Sequence, residues 1–171
     1  MQVSENSYTF ANKHAYNIFM GQQKIKHQIF SRIMETLNEK VSMAKREIEY
    51  ATESRNSDTK SSAGDKFETG REMAQMELNK SEALLARTIK LQKELSFINL
   101  EKKFEKIEFG SLVLTKQGNY FISFALGKII IDGIDYYSIS LASPIGQALR
   151  HKKAGDIMDF QGKKILVERV F

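Results

Sequence analysis

Residues 139–170, ISLASPIGQALRHKKAGDIMDFQGKKILVERV, carry three local instructions in succession. Ser143 before Pro144, the single proline of the chain, reads as a helix start. The serine side chain serves as N-cap, and the proline takes the first helical position, where its missing N–H costs nothing. The short helix reads over residues 143–151. Gly155 then breaks the chain, and residues 156–160 and 163–170 alternate as two strands joined by a tight turn at Gln161-Gly162.

Working backward, the segments 109–115, 119–126, 128–131 and 136–142 are rich in β-branched and aromatic residues, with Gly118, Gly127 and Gly133 between them. Residues 106–171 therefore read as a small α+β domain of five or six strands and one short helix, near the lower limit for an independent core. Its nine basic and six acidic residues leave +3. Arg150, Lys152, Lys153, Lys163 and Lys164 gather around the helix end and the last hairpin, either as solvated surface or as a partner-facing basic patch.

Upstream of residue 105 the period changes from two to that of a helix. Phe30, Ile33, Leu37, Val41, Ala44, Ile48 and Ala51 are spaced 3, 4, 4, 3, 4 and 3 residues apart, a heptad-like seam. A second seam reads through Leu84, Leu91, Leu95 and Ile98, widened by Leu85 and Ile89, and thins out toward Met73, Met76 and Ala83. Between them residues 54–64, SRNSDTKSSAG, have loop composition. Two long amphipathic helices around a short polar loop predict an antiparallel coiled-coil hairpin over 20–105, with its tip near 54–68. Residues 1–19 are polar and aperiodic and read as a flexible lead-in.

The chain of 171 residues has no cysteine. Disulfides, thiolate metal sites and cysteine nucleophiles are thereby excluded. His14, His27 and His151 are isolated, with no metal or triad spacing, and no glycine-rich phosphate loop is present. A net charge of +5 permits a nucleic-acid partner without requiring one. No run approaches the ~20 apolar residues of a membrane span, and the N-terminus lacks the basic-then-apolar pattern of a secretory signal. The expectation is a cytoplasmic protein.

Ser143, Pro144, Ile145, Gly146, Ala148, Leu149, Lys152, Gly155 and Asp156 fit, in order, the pattern SPI(G/A)-x-A-L-x-x-K-x-x-G-D. In this the C-terminal region resembles the Gre-type transcription elongation factors. The resemblance implies a coiled-coil hairpin followed by an FK506-binding-protein-like domain without prolyl isomerase activity. It also implies docking at the rim of the secondary channel of bacterial RNA polymerase, for which Ser143, Pro144, Ile145 and Gly146 are the candidate surface. The hairpin would enter the channel and place acidic tip residues at the polymerase active site, where a backtracked transcript is cut. On this reading the chain is an accessory factor and not an enzyme, a monomer that meets the nascent RNA 3′ end indirectly.

The family's tip signature is Gly-Asp-x-x-Glu-Asn. Here Gly64-Asp65-Lys66-Phe67-Glu68-Thr69 stands in its place, with Thr69 where the family has Asn, and Asp65 lies 78 residues before Ser143. Asp65 and Glu68 are thus the candidate catalytic-support residues, sharing a Mg2+ with the polymerase only in the complex; no cofactor is expected in the free protein. Two-metal hydrolysis needs two divalent ions roughly 4 Å apart, and magnesium accepts one or two carboxylates from any single donor. The same two acids also read as a capping box, Asp65 at N-cap and Glu68 at N3, with Ser62-x-x-Asp65 as a second register. Lys45, Arg46, Arg55, Lys60 and Arg71 are candidates for RNA proximity, or plain solvated helix surface. Phe67 reads either as closing the hairpin end against Met73 or as meeting the partner. Two further functions stay open: a secondary-channel regulator that does not promote cleavage, and a coiled-coil interaction module whose hairpin dimerises.

Overall fold

The structure is a computed structural model. It describes the backbone of residues 5–57 and 64–171, and the side chains of residues 21–55 and 69–171. Two long helices come first, α1 (Glu5–Ser57) and α2 (Gly64–Ser96). They are followed by β1 (Leu112–Thr115), β2 (Asn119–Ile122), β3 (Gly127–Ile131), β4 (Ile134–Ile139), the short α3 (Pro144–Leu149), β5 (Ile157–Phe160) and β6 (Lys163–Val170). The architecture is α+β, a helical hairpin followed by a β-rich domain. The chain divides into two compact units, one of residues 34–97 and one of residues 1–33 with 98–171. Helix α1 reaches back to Glu5, through the stretch in which the sequence shows no helical period.

In the unit of residues 34–97 the two helices run antiparallel. Gln92 Nε2 donates to Asn38 Oδ1 (2.7 Å), Ser81 Oγ to Glu47 Oε2 (3.0 Å) and Arg55 Nη1 to Gln75 Oε1 (3.1 Å), so partner numbers fall on α2 as they rise on α1. The α1 seam is as its spacing predicts: Leu37, Ala44 and Ala51 are buried, and Val41 and Ile48 half-buried. The α2 seam holds in part: Leu95 is buried and Leu85, Leu91 and Ile98 are half-buried. The rest is a correction, since Leu84, Ile89, Met73 and Met76 are exposed while Leu78, Ser81 and Thr88 are buried. The reading followed large apolar residues, but the inward face of α2 carries hydroxyl and amide residues. Ser81 and Gln92 bond across to α1, and the Thr88 hydroxyl bonds back to the Leu84 carbonyl (2.8 Å). A polar group satisfied in this way costs little to bury.

In the other unit the strands form one mixed sheet in the order β3-β4-β2-β1-β6-β5, with β2 and β4 parallel and every other neighbouring pair antiparallel. After β2 the chain passes beyond the position of β4 to lay down β3, then returns through Asp132–Gly133, both at positive φ (50° and 79°). Gln161 and Gly162, at 53° and 74°, turn the β5–β6 hairpin in the same way. Positive φ at both central residues gives the turn whose twist matches paired strands, and glycine at the second position relieves half its strain. Val113, Ile122, Met158, Ile165 and Val167 bury one sheet face together with Ile107 and Leu149, and Ile145 and Ala148 of α3 pack against it.

Candidate functional site

The start of α3 is built as its sequence predicts. Ser143 has extended backbone (φ −69°, ψ 154°), and its Oγ accepts from the Gly146 N–H at 3.2 Å. The same hydroxyl donates to the Ser140 carbonyl at 2.7 Å, which also accepts the Ser143 N–H at 3.0 Å. Gln147 Nε2 ties back to the Ala142 carbonyl at 3.1 Å. The chain therefore arrives at the helix through a closed ring of bonds centred on Ser140 and Ser143. A Cβ on Gly146 would stand 2.0 Å from the Ser140 carbonyl oxygen and 3.0 Å from the Leu141 Cα. Only glycine allows that approach.

The four proposed docking residues thus play unequal parts. Pro144 is exposed, Ser143 and Ile145 are half-buried, and Gly146 is buried. Gly146 sets the shape of the segment, while Pro144 with the edges of Ser143 and Ile145 forms its outer surface. Along the helix the Arg150 N–H bonds to the Gly146 carbonyl at 3.0 Å, and His151 then turns the chain at φ 62°.

At the hairpin tip, α2 begins at Gly64, so Asp65 and Glu68 occupy its first turns, three residues apart. Asp65 stands one residue inside the helix, where the capping-box register had placed it at the N-cap. Acids at a helix start suit the positive end of the helix dipole, and positions three apart share a helix face. The side chains of Asp65, Glu68 and Phe67 lie outside the described residues, as do Lys60 and Ser62. Met73, the proposed apolar partner of Phe67, is 65% exposed. Two carboxylate positions on one face are the number magnesium takes from a single donor. Among the described residues no group of three or more His, Cys, Asp or Glu side chains could hold a metal ion.

The cationic side chains proposed to lie near RNA divide in two. Lys45 and Arg71 are exposed, and Arg46 is exposed while its Nε reaches the Ser42 carbonyl of its own helix (3.4 Å). Arg55 is half-buried and engaged by Gln75, which makes it a staple between the two arms.

The sequence reading missed one group. Lys26 of α1 is fully buried, with its Nζ 4.5 Å from the centroid of the Phe104 ring and without a hydrogen-bond partner. Burial lowers its pKa to about 8, against a pull upward from Glu101, and Lys102 adds to the lowering. Its place on the apolar side of α1, three residues before Ile29, is the signal that a helical count would have used. In the sheet, burial raises the Tyr120 and Tyr136 hydroxyls, helped by Tyr137 and Asp132 respectively.

No helix among the described residues is long and apolar enough to cross a membrane. No family model matches the chain, and no curated protein matches it. Among solved structures the chain is similar to one titled "Structure of the transcription factor Gfh1", at 20% identity over 82% of this chain and 92% of that one, with a TM-score of 0.30.

Proposed function

We propose that the chain is an accessory factor of bacterial RNA polymerase that enters the secondary channel and stimulates cleavage of backtracked transcripts. The observation that carries this reading is the placement of Asp65 and Glu68 in the first turns of α2, at the turn end of an antiparallel hairpin. The Ser143-Pro144-Ile145-Gly146 motif, folded as a capped helix start, supports it from the other unit.

Each residue has a defined task in this scheme. Pro144, with the accessible edges of Ser143 and Ile145, docks at the channel rim, and Gly146 holds that surface in shape. The hairpin carries the two acids to the polymerase active site. Asp65 and Glu68 would contribute carboxylate oxygens that help hold a magnesium ion shared with the polymerase, which would supply activation of the attacking water and stabilisation of the leaving oxygen. Lys45 and Arg71, as exposed cations on the arms, reduce the repulsion between an acidic tip and RNA phosphates.

Because the chain has no native cysteine, a Lys66→Cys variant carries a photo-crosslinker at one defined place. In a backtracked complex ending in a labelled RNA, the expected crosslinks are to the RNA 3′ end and to the polymerase subunits around the catalytic centre. Crosslinks confined to the outer polymerase surface would exclude channel entry. Thr69, in place of the family's Asn, favours a second reading in which the factor occupies the channel without promoting cleavage. That version gives the same crosslinks and no shortening of the transcript.

A further inference from the structure

The end of α3 and the segment before β1 converge in a way their separation in sequence conceals. The Ile107 N–H bonds to the Lys152 carbonyl at 2.7 Å, and the His151 N–H to the Ile107 carbonyl at 3.1 Å. This two-way bridge ties the segment that carries Lys106 to the segment that carries Arg150, His151, Lys152 and Lys153. The left-handed turn at His151 (φ 62°) holds the second segment in place. Lys106, Arg150, His151 and Lys153 are exposed, and Lys152 is half-buried.

Nearby carboxylates offset these cations only in part. Glu108 is paired with Lys102. Asp156 Oδ2 accepts the Lys153 backbone N–H at 2.9 Å, so it holds the turn. Glu105 is exposed next to Lys106. Among the described residues, Lys106, Arg150, Lys152 and Lys153 have no ion pair.

We propose that this surface binds the phosphate backbone of a nucleic acid, independently of base sequence. Charge complementarity chooses the class of partner. Exposed cations contributed by two chain segments, with no buried cradle between them, suit successive phosphates of a polymer better than one small anion. Arg150 adds a planar fork that takes a phosphate through two bonds. The surface belongs to the β-rich unit, whereas Lys45, Arg46 and Arg71 belong to the hairpin unit, so it provides a nucleic-acid contact that channel entry by the tip does not require.

The test is fluorescence anisotropy of the full-length protein with a short labelled single-stranded RNA and a short labelled DNA duplex, titrated between about 50 and 200 mM salt. The Lys106→Glu/Arg150→Glu/Lys153→Glu variant is compared with Lys45→Glu/Arg46→Glu and with Lys163→Glu/Lys164→Glu. The proposal predicts that the first variant weakens binding at least about tenfold at low salt. It also predicts a log–log salt slope shallower by about 2, since each lost single-strand phosphate contact removes about 0.7. Circular dichroism confirms folding; should charge reversal disturb it, Arg150→Gln/Lys153→Gln serves instead, with a proportionately smaller loss. If either control pair causes the larger loss, the nucleic-acid surface lies elsewhere and the proposal fails. If neither probe binds at low salt, it also fails, and the patch is left to an acidic protein surface.

Discussion

Replacing Lys26 by methionine should make the protein more stable. Lys26 is fully buried, its Nζ lacks a hydrogen-bond partner, and burial is the chief cause lowering its pKa from 10.5 to about 8. The unfolded chain keeps the ordinary value. Between about pH 8 and 10.5 the unfolded state therefore binds more protons than the folded one, and stability from this group rises with pH across that window. Below about pH 8 the penalty is present in full. Each tenfold change in proton affinity is worth about 1.4 kcal/mol, which sets an upper bound of about 3–4 kcal/mol. Methionine keeps the length and the apolar stem but forfeits the attraction of a desolvated cation to the Phe104 ring, worth about 2 kcal/mol. The expected net gain is about 1 kcal/mol at neutral pH, a rise in Tm of about 2–4 °C for a chain of this size. Thermal melts followed by circular dichroism at about pH 7 and about pH 9.5 measure both parts of the claim. The advantage of K26M over wild type should shrink at the higher pH, because wild-type Lys26 is then mostly neutral. A variant less stable than wild type at neutral pH, or an advantage unchanged by pH, would refute the reasoning.

Gly146→Ala should destabilise the β-rich unit by about 2 kcal/mol or more, since the added Cβ overlaps the Ser140 carbonyl and forces the loop to move; urea unfolding measures it. Ser143→Ala removes both hydroxyl bonds at the α3 start and should cost about 1 kcal/mol. Thr88→Val should change hairpin stability by less than about 1 kcal/mol in thermal melts, because its hydroxyl bonds only within its own helix. Lys128→Ala, which removes an exposed pair with Asp135 at 3.1 Å, should cost no more than about 0.5 kcal/mol, and that only at low salt.

The sheet was legible because its signals are local. Glycine-containing two-residue turns, alternation in residues 163–170 and a Ser-Pro helix start each fix a few residues without help from distant parts of the chain. The sequence places β6 and the turn at Gln161–Gly162 where the structure has them. The crossing order of β2, β3 and β4 was not legible, since the parallel pairing of β2 with β4 depends on which edge the chain passes. The inner face of α2 was legible at Leu91 and Leu95 but not elsewhere, for a physical reason: a two-helix interface excludes water with small hydroxyls and paired amides as well as with leucine, so Ser81, Thr88 and Gln92 left no hydrophobic trace. At the candidate site, the Ser143 cap could be read from residue type and spacing, but the need for glycine at position 146 comes from the Ser140 carbonyl, six residues away. Lys26 was invisible to composition because charged residues are assigned to the surface by default. The bridge between Ile107 and residues 151–152 joins segments whose proximity no local pattern encodes.

The central claim is that the two acids at the start of α2 assist hydrolysis in the polymerase active site. It is tested most directly by adding the purified protein and magnesium to a backtracked RNA polymerase complex and resolving the transcript on a gel. Wild type should shorten the RNA rapidly. Asp65→Ala/Glu68→Ala should bind the polymerase equally well and leave the RNA at its basal rate of cleavage. Equal shortening by the two proteins, or a wild type that binds without accelerating cleavage, would contradict the account.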